Sequence, residues 1–459
     1  MSEAAPKLAV SNLRRFRPYS GYKPSGIEWF GDVPIHWRIK RSDRFVSTER
    51  TQITPEQFSG KDVFHYSIPT VQETGTGAVE EGEQLASAKQ LVTRPVLLVS
   101  KLNPRKATIC LASPKELVTV CSGEFVALTA TNCNLKFLYY LFMSEPFRQR
   151  LDANVQSVTR SHQRANPEQI YRFWAAWPPT AEQNGIADFL DRETANIDDL
   201  IARKRLIIEK LKEKRSTLIS HTVTRSLPPD AARAAGLDPH PQTKSSGVNW
   251  FANVPAHWEV TQLRRKVLVL DCKHKTVSFI DDGIPVVSIR EISGLEVKLE
   301  GAKQTTPEEY RDMIEGERKP LQGDIIYSRN ATVGDAALVT VSEPFCMGQD
   351  VCLIRSLHQN ARYLLYLFRS TSLLQQVESL MIGSTFRRIN VGQIKAFWVC
   401  IPPVREQELI ATYLDHETAE VDRTIQRIQD ALDCLLEYRV ALITATVTGT
   451  IDVGGEEYA

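Results

Sequence analysis

The 459-residue chain has no excess charge of either sign: 56 Lys and Arg against 55 Asp and Glu leave a formal charge of +1. No whole-chain electrostatic argument therefore points to nucleic acid, and any basic surface has to be local. Its eight cysteines include no C-x-x-C pair. That argues against zinc and thioredoxin-type chemistry and leaves buried free thiols in a reduced, cytoplasmic setting. No run approaches the roughly 20 apolar residues that span a bilayer. The opening MSEAAPKLAVSNLRRFRPY has no apolar core followed by a small-residue cleavage site. Catalytic signatures are missing as well. There is no G-x-G-x-x-G, phosphate loop, nucleophile elbow or H-E-x-x-H, and no convincing P-D…[DE]-x-K nuclease set. The adenine-methyltransferase tetrad N-P-P-[FY] is missing too, because the Pro-Pro sites read WPPT, LPPD and IPPV. The chain is expected to carry no catalysis, no metal and no cofactor of its own.

What the chain does have is repetition. SGIEWFGDVPIHW, Ser25 to Trp37, returns as SGVNWFANVPAHW, Ser246 to Trp258. PPTAEQNGIADFLDRETANIDDLIARKRLIIEKLKEKRSTLISHTVT from Pro178 aligns without a gap with PPVREQELIATYLDHETAEVDRTIQRIQDALDCLLEYRVALITATVT from Pro402. Between these anchors only patches agree, such as NLKFLYYLFMS from Asn134 with NARYLLYLFRS from Asn360. Each half therefore reads as short anchor, variable domain and long similar segment. A Pro-rich connector, from Arg225, joins the halves. His36 and His257 recur between small apolar residues and tryptophan, which suggests a packing role, and the repeated tryptophans suit an anchoring role.

The long similar segments start after Pro-Pro and have no internal proline, so each predicts one helix of roughly 60 Å at about 1.5 Å per residue. Leu414, Val421, Ile428, Leu435 and Leu442 step by seven. Ile425 and Leu432 lie in a second row four residues on, with Thr418, Arg439 and Thr446. That is the spacing of a coiled-coil seam. The first copy repeats it with Leu190, Ile197 and Leu211 beside Ile201 and Ile208. Lys204, Arg215 and Arg439 interrupt the seam, as polar residues that specify register do. Each stripe needs a partner, and the other copy is the nearest. An antiparallel pair would hold two domains at opposite ends of a rod, with a pseudo-twofold axis. The alternative is that each helix packs on its own domain.

The variable intervals carry strand-like runs, VLLVSKL, EFVALTA, DIIYSRN and DVCLIRS, before amphipathic helices from Leu135 and Ala361. The fold class expected is α+β: two mixed α/β domains separated by an antiparallel coiled coil, a pseudo-twofold tandem duplication. Polar clusters lie between the strands. In the first domain these are Ser100, Lys101, Asn103, Arg105 and Lys106, then Arg160 and Arg164. In the second they are Ser328, Arg329 and Asn330, then Ser384, Thr385, Arg387, Arg388 and Asn390. Arg and Lys suit phosphates or guanine edges, Asn suits adenine, and Ser and Thr suit phosphates.

With these residues in view, the chain resembles the specificity subunit of type I restriction–modification systems. The resemblance rests on the two tryptophan phrases and on Pro-Pro-x-x-Glu-Gln (Pro178, Pro179, Glu182, Gln183; Pro402, Pro403, Glu406, Gln407) leading into each helix. VTRSLPPDAARAAGLDP and the terminal VTGTIDV add to it. It covers nearly the whole chain, with a small departure at Ala252, where the first copy has Gly31. The resemblance implies target recognition domains at 19–177 and 246–401 and spacer helices at 178–224 and 402–448. An N-terminal extension (1–18), a linker (225–245) and a C-terminal tail (449–459) complete the chain. It implies double-stranded DNA as ligand, each domain reading half of a bipartite target. Two methyltransferase subunits would bring S-adenosylmethionine, and restriction subunits ATP and Mg. No membrane is involved. The rivals are a DNA-binding coiled-coil regulator without a methyltransferase partner and a single-chain restriction enzyme.

Overall fold

The structure is a computed structural model and describes residues 16–49, 51–103, 106, 108–153, 155–157, 163–381 and 388–454. The chain divides into two units, Met1–Arg205 with Gln429–Ala459, and Leu206–Ile428. Both divisions fall inside a long helix, Thr180–Arg225 or Val404–Val447. Each unit therefore holds one mixed α/β domain and part of each helix.

In the first unit an antiparallel sheet runs Ile109–Ala112, Val96–Ser100, Phe125–Ala130, Val46–Glu49. Val96, Leu97, Leu98 and Val99 are all buried, so this apolar run is covered on both faces. A five-stranded second sheet sets Val118–Cys121 parallel to Asp62–Tyr66. In the second unit the same order returns as Ala336–Leu338, Ile325–Ser328, Val351–Ser356, Val267–Asp271. Its second sheet has three strands, again with a parallel pair, Ile284–Val287 beside Cys346–Met347. Register agrees too, since Ser100 faces Phe125 and Ser328 faces Val351. The duplication thus runs through the intervals where the two sequences share only patches.

The start of each long helix is tied to its own domain by identical bonds. Buried Gln183 accepts from the backbone of Asn134 at 2.8 Å and donates to Pro178 O at 2.9 Å; Gln407 does the same with Asn360 and Pro402, at 2.8 Å in both bonds. Asn134 and Asn360 in turn cap the helices Leu135–Met143 and Ala361–Phe368. About two turns further along each long helix, the Tyr140 hydroxyl donates to Asp191 at 2.7 Å and that of Tyr366 to Asp415 at 2.6 Å.

Glu182 and Glu406 explain the repeated histidines. His36 lies 2.8 Å from Glu182, and His257 lies 2.8 Å from Glu406. Both rings are half exposed and paired, not packed as the flanking apolar residues suggested. The indoles beneath them are fully buried. Trp37 donates to Glu182 at 2.9 Å. In the second unit the corresponding carboxylate oxygen accepts instead from Ser226 at 2.6 Å.

Along the helices the seam positions turn inward. Leu190, Ile197, Ile201, Ile208, Leu414 and Leu432 are buried; Leu211, Val421, Ile425, Ile428 and Leu435 are half-buried. Two of the polar interruptions have partners on the other helix. Arg439 donates to Asp198 at 2.9 and 3.1 Å in the first unit, and Arg215 lies 2.9 Å from Asp422 in the second. Asp198 aligns with Asp422, and Arg215 with Arg439, so these are two copies of one pair. The Ser226–Glu406 and Arg215–Asp422 contacts together require antiparallel helices in the second unit. In the first, Tyr19 bonds Glu182 at the start of one helix and Tyr22 bonds Thr450 O beyond the end of the other, so the sense is the same. Exposed ion pairs of this kind contribute little stability; what they fix is register.

The helices therefore both pair and pack on their own domains. The stretch read as a connector is folded: Pro229–Ala234 is helical, and Leu227 and Ala232 join the core of the second unit. All eight cysteines are free thiols, six of them buried, and burial pushes Cys110 up to about 12.

Candidate nucleic-acid interface

Strand register sorts the polar clusters. Because Ser100 and Ser328 occupy equivalent strand ends, Lys101 corresponds to Arg329, Glu124 to Asp350 and Gly123 to Gln349. The backbone N–H of Lys101 donates to Glu124 O at 2.9 Å, and that of Arg329 to Asp350 O at 2.9 Å. The carbonyls of Lys101 and Arg329 accept from Ala165 and Ile389 at 2.8 and 3.0 Å. Isolated bridges pair Leu102 with Arg164 and Asn330 with Arg388. In both domains the structure thus brings the first polar cluster against the second, although some sixty positions separate them in sequence.

Several candidates turn out to hold this loop together. Ser100 and Ser328 are buried, and their hydroxyls donate to Leu102 O and Asn330 O at 3.1 and 2.9 Å. The Lys101 ammonium donates to Gly123 O at 2.8 Å. Its counterpart Arg329, read from sequence as a DNA-contacting cation, is buried with its side chain 3% exposed. Its guanidinium donates to Gln349 O at 3.1 Å and lies 2.9 Å from Asp271. It is a strut beneath the loop, because every neighbour that neutralises it is internal. Asn330 donates to Asp350 at 2.9 Å and accepts from Ala331 at 2.9 Å, so both ends of its amide are engaged. Asn390 caps the helix Val391–Lys395, as Asn166 caps Pro167–Tyr171. Asn103 takes a left-handed turn at φ +48.

The candidates facing outward are fewer. Lys106 is exposed and lines a groove with Gln72 and Thr108. Arg164 is 62% exposed and donates to Glu124 at 2.9 Å. Arg388 is exposed. Arg105, Arg160, Ser384, Thr385 and Arg387 lie outside the described residues.

Residue type alone missed Glu124, Asp350 and a basic loop in the second domain, Lys273, His274 and Lys275. Lys273 and Lys275 lie 2.5 and 2.9 Å from Asp312 and hold its carboxyl down at about 2. Gln349 donates to Thr276 at 2.9 Å, joining this loop to the Arg329 strut. The run Lys-His-Lys was the available signal; its place beside Arg329 comes only from pairing of Val267–Asp271 with Val351–Ser356. Asp271, Cys272 and His274 bring ligand atoms within 4.8 Å of one another. The Arg329 guanidinium already covers Asp271 and reaches the Cys272 sulfur at 3.4 Å. A metal cation does not fit against that charge.

Residues 279–432 match the family described as the type I restriction modification DNA specificity domain. The putative type I restriction enzyme MjaX specificity subunit of Methanocaldococcus jannaschii is 23% identical over 422 residues, which are 88% of this chain and 91% of that one. Over most of its length the chain is thus similar to the specificity subunits of type I restriction–modification systems. The EcoBI specificity subunit of Escherichia coli is 27% identical over 179 residues, 37% of this chain and 34% of its own. A chain solved in work on complex assembly and conformational transition of the type I R-M system superposes with a TM-score of 0.64 at 18% identity. The match covers 90% of the present chain and 98% of that one, and it shows the shared fold. Within this chain, the loops built on Ser100 and Ser328 carry the same main-chain scaffold under side chains that differ in part, Lys101 against Arg329 and Glu124 against Asp350. Among the described residues no helix is long and apolar enough to cross a membrane.

Proposed function

We propose that this chain is a specificity subunit, each mixed domain of which reads one half of a bipartite double-stranded DNA target through the paired loops described above. The long helices set the unread spacer between the halves and dock two methyltransferase subunits. The chain itself is non-catalytic and works in the cytoplasm. S-adenosylmethionine belongs to the methyltransferase subunits, and ATP and Mg to the restriction subunits. One observation carries this reading: the main-chain bonds of the loop are duplicated, while side chains on it differ, Lys101 against Arg329, Leu102 against Asn330 and Glu124 against Asp350. That is what two readers of different sequences on one framework need. The repeated anchoring of the helix starts, Gln183 and Gln407 each holding its own domain in the same way, gives the two halves a common framework, which suits two copies of one partner. The lack of any catalytic signature supports the assignment of chemistry to the partners.

The test is a genome-wide map of methylated adenines in cells with and without this gene, the neighbouring methyltransferase being expressed. Loss of methylation at one two-part motif is expected; an unchanged map sinks the proposal. Within the complex, Arg164→Ala and Arg388→Ala are each expected to weaken target binding by about 1–3 kcal/mol and relax selection in one half. Competition between duplexes altered in one half at a time measures this. Equal binding by wild type and both variants removes these arginines from the interface.

A further inference from the structure

From the loop geometry, and resting on the reading above, we infer that Glu124 and Asp350 are the positioning residues of the two DNA-reading loops. Each fixes the arginine that faces DNA from its domain. The two carboxylates stand at equivalent places, immediately before Phe125 and Val351, the residues that face Ser100 and Ser328 in the sheet. In both, the backbone carbonyl of the acid accepts from the residue after the serine, at 2.9 Å. In both, the carbonyl one position earlier accepts the cation of that same residue: Gly123 O from Lys101 and Gln349 O from Arg329. The acids are thus locked by main-chain and strut bonds before their side chains do anything.

Their side chains then act on the outer strand of the loop. Glu124 accepts from the Arg164 guanidinium at 2.9 Å, with Lys101 3.8 Å from its other oxygen. A guanidinium has five N–H donors in a planar fork. One edge held by Glu124 leaves the rest of the fork for a guanine edge or a phosphate. Asp350 accepts from the Asn330 amide at 2.9 Å, and Asn330 is the residue whose backbone is bridged to Arg388. One carboxylate holds its arginine directly; the other holds the residue paired with it. Sequence alignment alone does not bring these acids together. The shift is 228 positions from Lys101 to Arg329, 226 from Glu124 to Asp350 and 224 from Arg164 to Arg388.

A stability role is a poor account of the arrangement. The Arg164–Glu124 pair is 62% and 32% exposed, and such pairs add little to folding. A well-placed arginine discriminates between bases by roughly 5- to 150-fold, so its orientation matters more to selection than to the fold.

The test uses Glu124→Gln and Asp350→Asn, which keep shape and remove charge, in the full chain assembled with its methyltransferase partner. The readouts are the methylation motif and competition by duplexes altered in one half. Each variant is expected to lose about tenfold in discrimination within one half, a different half for each, with the other half and the thermal midpoint unchanged. The charge-preserving Glu124→Asp and Asp350→Glu are expected to recover part of it. An unchanged motif overturns the inference, and so does loss of both halves together. A wild-type chain that imposes no two-part motif overturns this inference and the proposed function alike.

Discussion

Four residues inserted after Leu200 abolish recognition of the native target, and the same insertion made also after Thr424 restores recognition of a target with a longer spacer. The insertion adds about 6 Å of rise and about 40° of rotation to a helix. It falls between Asp198 and Arg215, which pair with Arg439 and Asp422. Lengthening one helix alone therefore preserves one ion pair and moves the other out of reach. It also slides the apolar row Ile201, Ile208 and Leu211 past its partners. Lengthening both between the same contacts keeps both pairs and the seam. The helix starts are untouched, since Gln183 and Gln407 hold them to their own domains. If the helices set the spacing of the half-sites, the doubly lengthened chain prefers a spacer longer by about one to two base pairs, at 3.4 Å per base pair. Binding of the assembled complex to duplexes whose spacer varies one base pair at a time measures this. An unchanged preference in the double insertion removes the ruler role from the helices.

The helices and their anchors were legible because their constraints are local. A Pro-Pro start, a 3-4 apolar spacing and the tryptophan phrases each state themselves within one turn or one hairpin. The partners were not. His36 bonds Glu182 across 146 positions of sequence, so the histidine's recurrence was visible while its cause was not. The same holds for the sheets. The two domains share strand order and register, yet the spacing between equivalent residues drifts from one strand to the next, and a gapless comparison loses it. Residue type pointed to loops that the fold brings together, but not to the way each side chain faces. Lys101 and Arg329 carry the charge that DNA contact needs, and register turns both toward backbone carbonyls. Arg164 and Arg388, of the same chemistry, stand on the outer side of the same bridges. Nothing in the local sequence distinguishes these two pairs.

Arg329→Ala is expected to destabilise the second unit by about 3 kcal/mol, with loss of target binding following from loss of the loop. The guanidinium is buried and meets three internal acceptors: Gln349 O, Asp271 and the Cys272 sulfur. Alanine leaves one face of Asp271 without a donor and the carbonyl of Gln349 with only the weak Cys272 thiol at 3.3 Å, and such under-satisfied groups cost more than the bond itself contributes. Asp271 is 34% exposed, so water recovers part of its share, which keeps the figure at the lower end for a broken buried pair. Arg329→Lys keeps the charge but not the fork; one ammonium cannot reach carbonyl and carboxylate with the same geometry, and partial recovery is expected. Pairing Arg329→Met with Asp271→Asn is expected to cost less than the two changes summed, because neither partner is then left charged and alone. Arg388→Ala supplies the contrast: stability within about 0.5 kcal/mol of wild type, with binding reduced. Hydrogen exchange in the strands Val267–Asp271 and Ile325–Ser328, with and without target DNA, separates the outcomes. Faster exchange at Arg329→Ala in the free protein supports the strut. Wild-type exchange with binding reduced as at Arg388→Ala would mean that Arg329 swings out to read DNA, and the inward assignment would have to be given up.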